Sequence, residues 1–124
     1  MTMPTLLDIS PTGGVDLDEK CAMEHFLGKT QEQASALFFE NSIYFIDDLR
    51  WMGGRAFVYY LPSVIPYLTS PESRGDSDAV DSLISILRSR LEDDAECMHD
   101  ARALVLRVLT LIQDNFPKFE VDDE

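Results

Sequence analysis

The chain has 124 residues, is 45% hydrophobic, and carries 23 acidic against 10 basic residues for a net charge of −13. That length suits one domain with a hydrophobic core of its own, without metals or disulfides as staples. So negative a surface repels nucleic acid and anionic lipid and favours basic partners, which argues against direct nucleic-acid binding and membrane association.

Residues 1–15 hold Pro4, Pro11 and Gly13-Gly14, with Leu6, Leu7 and Ile9 as the apolar anchors. They read as an extended N-terminal arm pinned by those three side chains. Met1-Thr2-Met3-Pro4 lacks a basic segment followed by an apolar one, so no signal peptide is expected. Asp16 and Glu19 stand in capping-box spacing and predict a first helix through Leu27, ended by Gly28. Thr30 and Gln33 repeat the box and predict a second helix, with Ala34, Leu37 and Phe38 at helical spacing. The chain is expected to bend at Asn41-Ser42. Ile43 to Met52 then forms a helical stripe (Ile43, Ile46, Leu49, or Phe45, Leu49, Met52), ended by Gly53-Gly54.

Arg55 to Leu68 is helical in content but carries Pro62 and Pro66. Each proline removes a donor and clashes with the carbonyl four residues back, so the helix should break near Tyr60 or kink at Pro62. Thr69 to Asp78 is the clearest loop, and Asp76, Ser77 or Asp78 can cap the next helix. Val80, Leu83, Ile84, Leu87 and Leu91 mark the apolar face of that helix. A last helix runs from about Asp93 to Asn115, acidic in its first turns and apolar on nearly all sides from Ala103 to Ile112. That pattern predicts a largely buried C-terminal helix, stopped by Pro117. No segment alternates with period two, and no repeat is present. The fold class is therefore all-α: a compact bundle of about five helices over 16–117, with an acidic tail at 118–124 and no span of the ~18 apolar residues a membrane crossing needs. A soluble, cytoplasmic protein is expected.

The motifs that might carry chemistry are thin. Gly28-Lys29-Thr30 resembles the end of a phosphate-binding loop, but Met23 stands where that loop needs glycine, and a helix precedes it instead of a strand. Cys21 and His25 lie four apart on one helix, and Cys97 and His99 two apart on another, so a zinc site needs the two helices to converge. The two cysteines also permit one disulfide at most, unlike a cysteine-dense secreted scaffold. Glu96 and His99 form one Glu-x-x-His, whereas a di-iron bundle needs two. With two histidines and no Gly-x-Ser-x-Gly, no hydrolase triad assembles from spacing. Asp47-Asp48 and Glu92-Asp93-Asp94 read as solvated helix faces. No catalytic residue, metal or cofactor is implied, and a non-enzymatic protein is expected.

Asp48 to Leu68 is the unusual stretch. It holds the only Trp, a Gly-Gly break and a Tyr-Tyr pair, and nine of the twelve aromatic residues fall between Phe38 and Tyr67. Phe57, Tyr59, Tyr60 and Leu61 point in several directions on a helix, so some of these rings should reach the surface. Tyr, Trp and Arg are the residues enriched at interface hot spots. Arg50, Trp51, Arg55, Tyr59, Tyr60 and Tyr67 are therefore the candidate interface.

Ala56-Phe57-Val58-Tyr59-Tyr60-Leu61-Pro62-Ser63-Val64, preceded by a Met-Gly turn, resembles the "AF-x-YYLPA" signature of small bacterial domains of unknown function. The resemblance covers about residues 24–91. Ser63 stands where that signature has Ala, and Gly53-Gly54 replaces a proline-containing turn. It implies an apolar helix opened by the motif and a helical pair after an acidic loop. It further implies a bacterial accessory protein of a kind sometimes found near toxin and immunity loci, and no catalytic residues. Charge and resemblance together suggest an acidic protein-binding module with a basic partner, in the manner of an immunity protein, an antitoxin or a DNA-mimic inhibitor. The alternatives are a small-ligand protein or enzyme with an aromatic-lined pocket, a zinc-stabilised module, and a homodimer formed through the Pro62 segment.

Overall fold

The computed structural model describes residues 2–93 and 95–120, with side chains over 2–92 and 101–120. Among the described residues the backbone is helical, with turns and no strand. The helices are shorter and more numerous than the five expected. They are α1 (Leu6–Ile9), α2 (Leu17–Phe26), α3 (Gln31–Glu40), α4 (Ser42–Trp51), α5 (Gly54–Tyr60), α6 (Ile65–Leu68), α7 (Ser77–Asp93), α8 (Ala95–Asp114) and α9 (Phe116–Phe119).

Residues 2–15 are not the extended arm expected for 1–15. Thr5 and Asp8 form a capping box, with the Thr5 N–H donating to Asp8 Oδ2 at 2.8 Å, and this closes the single turn α1. Ile9 is buried, whereas Leu6 and Leu7 face outward. The arm lies against the start of α5. The Gly53 N–H donates to the Ile9 carbonyl at 2.9 Å, and a Cβ at position 53 would overlap the Asp8 carbonyl oxygen. That close approach is what Gly53 provides.

Caps set the next elements. Asp16 accepts from the N–H groups of Asp18 and Glu19, opening α2. Glu19 does not return to the Asp16 N–H, which donates to Thr12 Oγ1 instead; its carboxylate accepts from Ser10, Thr12 Oγ1 and the Thr12 N–H. Gly28, at φ +79°, ends α2. Thr30 and Gln33 form the second capping box as expected, and the Asn41 side chain caps α4. At its other end α4 is stopped by a cation: the Arg90 guanidinium, buried on α7, donates to the carbonyls of Leu49, Arg50 and Met52. The same guanidinium stacks 4.6 Å from the Phe57 ring centroid.

After Tyr60 the chain changes helix type without leaving the right-handed region. A 3-10 turn covers Leu61–Val64 and α6 follows at once. Pro62 and Pro66 each stand in the first turn of the piece they open, where a missing N–H costs nothing.

The core joins these pieces. Phe26, Phe38, Phe57, Tyr60, Ile46, Leu49, Leu61 and Leu83 are fully buried, with Phe26 and Tyr60 rings 5.0 Å apart. α4 packs on α2, α3 and α7, and α8 packs on α7, α5 and α6. The C-terminal helix is not the largely buried centre expected. Ala101, Val105, Val108 and Ile112 form one buried stripe, while Leu106 is 46% exposed. Its apolar residues outnumber what one flank of a bundle can cover. Nor does the fold end at Pro117. Pro117 sits in the first turn of α9, Phe119 is buried, and the Lys118 ammonium donates to the carbonyls of Leu68 and Ser70. The rest of the expected tail, residues 121–124, lies outside the described residues.

Candidate functional site

Two helical stripes face each other across a surface cleft of about 350 Å³. Asp18, Cys21 and His25, spaced three and four apart on α2, make one wall. Ile43, Tyr44, Asp47, Asp48 and Trp51, repeating every four residues along α4, make the other, and Ser82 of α7 closes one side.

The floor is a polar pair. His25 Nδ1 lies 2.6 Å from Asp48 Oδ2, and Asp48 is only 6% exposed. Burial raises the Asp48 carboxyl above the usual carboxylate range, opposed by the hydrogen bond and charge of His25 and reinforced by the neighbouring Asp47. When Asp48 is ionised, Nδ1 donates to it, and Nε2 lies 3.3 Å from the Tyr44 hydroxyl. The imidazole is further held by the Tyr44 and Phe45 rings, at 5.1 and 5.2 Å.

The rim is apolar and acidic. Tyr44 is 52% exposed and Trp51 41%, and Ile43 stands beside them. Trp51 Nε1 lies 3.4 Å from Asp47 Oδ2, and the Arg50 Nε 3.5 Å from Asp47 Oδ1. Asp18 and Asp47 are exposed on opposite walls. Three carboxylates thus line the cleft, and among the described residues the one lysine or arginine against them is Arg50, on Asp47.

Of the six candidate interface residues, only Trp51 lines this cleft. Tyr60 is fully buried; its hydroxyl donates to the Phe26 and Lys29 carbonyls at 2.8 Å each, tying α5 to the end of α2. Tyr67 is buried too, donating to Asp76 Oδ2 at 2.5 Å, an oxygen that also accepts from Ser42. Neither is a surface anchor, because both hydroxyls find acceptors inside the fold. Arg55 is exposed but occupied, donating to Asp8 Oδ2 at 2.7 Å and Thr2 Oγ1 at 2.6 Å, so it holds the arm. Tyr59 is half-buried edge-on against Tyr60, and Arg50 turns toward a separate groove with Gly53 and Pro11.

Sequence reasoning placed Asp47-Asp48 together on a solvated face. Asp47 is there, but Asp48 is turned inward onto His25. Cys21 and His25 share a helix face as the spacing indicates, and Cys21 is an exposed free thiol. Among the described residues, no group of three or more His, Cys, Asp or Glu side chains is placed to hold a metal ion. The side chains of Cys97 and His99, and of Glu96, Asp93 and Asp94, lie outside those described. Also among the described residues, no helix is long and apolar enough to cross a membrane.

The chain matches no family model, and searches of curated proteins and of solved structures found no significant match.

Proposed function

We propose that this protein is a non-enzymatic, acidic protein-binding module that docks a basic partner on the α2–α4 cleft. The observation that carries this reading is the half-exposed Tyr44 and Trp51, set beside the Asp18 and Asp47 carboxylates, of which, among the described residues, only Asp47 has a cation, Arg50, against it. Aromatic anchors within a charged rim are the usual makeup of an interface hot spot. The net charge of −13 adds a long-range field that speeds capture of a basic protein. The concrete form proposed is a bacterial immunity or antitoxin protein acting in the cytoplasm, and membership in the AF-x-YYLPA group belongs to the same proposal. A pull-down from the source lysate at low and high salt tests it. A basic protein captured at low salt and released at high salt supports the reading; none captured at low salt counts against it.

A second reading rests on His25 beside Asp48 in a cleft that also holds Cys21. An imidazole oriented by a buried carboxylate in the same cleft as a thiol brings together the groups of an activated nucleophile, although among the described residues no hydrogen bond joins Cys21 to His25. A small-ligand or catalytic pocket is therefore the alternative. In a Cys97→Ser background, that alternative requires iodoacetamide to modify Cys21 at least about tenfold more slowly once His25 is replaced by Ala. Equal rates remove it. A homodimer through the Pro62 segment is the remaining proposal, read by light scattering.

A further inference from the structure

We infer that the α2–α4 cleft is a receptor for an arginine side chain of the partner, an assignment that rests on the docking reading above and names its chemistry. The cleft is concave rather than a flat acidic face, and its walls divide the work. Asp18 and Asp47 reach the rim from opposite helices, and among the described residues Asp18 has no hydrogen-bond or ion-pair partner for its carboxylate. The Tyr44 and Trp51 rings present about half their surface along the same wall, and Ile43, next to Tyr44 on α4, adds apolar surface to it. Asp48 is already engaged by His25, so the floor is polar without offering a second free anion.

Each feature narrows the ligand. The carboxylates repel phosphates and acidic peptides. Among the described residues the one cation against them is Arg50, whose Nε lies 3.5 Å from Asp47 Oδ1 in a solvent-exposed pair, which leaves Asp18 open to a cationic group. A bare metal ion has no set of three ligating side chains here. Between the two cationic side chains, lysine offers a compact, strongly hydrated point charge. Arginine offers a planar, weakly hydrated guanidinium that stacks on aromatic faces and meets carboxylates with paired N–H groups. A rim built of two rings and two carboxylates matches the second. The apolar stem of the arginine would lie against Ile43, as such stems do on apolar surface.

Titrating the isotope-labelled full chain with N-acetyl-arginine methylamide, and separately with N-acetyl-lysine methylamide, tests this by heteronuclear NMR. The expected result is saturable shifts of the Trp51 indole and of the Asp18, Tyr44 and Asp47 amides. The arginine probe should bind about fivefold or more tightly than the lysine probe. Asp18→Asn/Asp47→Asn should abolish the saturable shifts while its amide spectrum elsewhere stays that of the folded protein. Equal affinity for the two probes, shifts spread over the whole acidic surface, or shifts that survive the double substitution would overturn the assignment. The two readings fail separately. A basic partner that needs Tyr44 and Trp51 but carries no arginine into the cleft leaves docking standing and removes the receptor. Saturable arginine binding with no basic partner from the lysate does the reverse.

Discussion

His25 Nδ1 sits 2.6 Å from Asp48 Oδ2, so the one buried carboxylate of α4 is joined to α2 by a single short contact. Asp48→Ala should therefore destabilise the fold by about 2–3 kcal/mol, by leaving His25 without its partner and opening a small void. Equilibrium denaturation measures it. Asp48→Asn isolates the titration. A carboxyl raised by burial keeps its proton to higher pH in the folded chain than in the unfolded one. Over that window the folded state binds more protons, so its stability falls as pH rises from about 4 through the raised value. The stability of the wild type relative to Asp48→Asn should decline as pH rises above the ordinary carboxylate range; a rise there contradicts the assignment.

Arg90 closes α4 from another helix. Replacing it with Met leaves the carbonyls of Leu49, Arg50 and Met52 without that donor. We expect a loss of about 2–4 kcal/mol, from unsatisfied buried acceptors and a lost charge at a helix C-terminus. Amide exchange should speed first at the end of α4. A change below about 0.5 kcal/mol would show that water replaces the guanidinium at no cost.

The arm depends on Gly53 and Arg55. Gly53→Ala forces the Asp8 backbone away, which should cost about 1–3 kcal/mol. Arg55→Ala removes the hydrogen bonds to Asp8 and Thr2 and should speed limited proteolysis before Ser10, with little change in the melting of the rest. If neither variant alters cleavage of the arm, another contact holds it.

Tyr60 belongs to the core, so Tyr60→Phe should cost about 1–2 kcal/mol through its two carbonyl acceptors, while Tyr59→Phe should be near neutral. Burial pushes the Tyr60 and Tyr67 hydroxyls up to about 12. Two of the four tyrosines should accordingly ionise late in an absorbance titration. Because the unfolded chain loses these protons first, stability falls as pH rises from 10 through 12.

The elements most readable in advance were those with local causes. Thr30, Gln33, Asn41 and Gly28 act within a few residues of their own position, so spacing alone placed α3 and the end of α2. α1 was hidden because four residues carry no periodicity, and its Thr5–Asp8 box uses the shorter acid. The sides of α8 misled because an apolar count does not say which residues find a neighbour. The cleft was harder still. His25 and Asp48 are 23 residues apart, and only the packing of α2 on α4 brings them together. Tyr44 escaped notice because aromatic composition ranks residues by type, not by whether a hydroxyl already has an acceptor; that same blindness put Tyr60 and Tyr67 at the surface.

The docking proposed for the cleft turns on Tyr44 and Trp51. Once a basic partner is in hand, its affinity for the wild type and for Tyr44→Ala/Trp51→Ala can be compared by isothermal titration, with melting curves recorded alongside. Loss of at least about tenfold in affinity with an unchanged melting temperature is the expected result of the proposal, which makes these two half-exposed rings the anchors. Unchanged affinity in a folded double variant would place the interface elsewhere and contradict the function proposed for this protein.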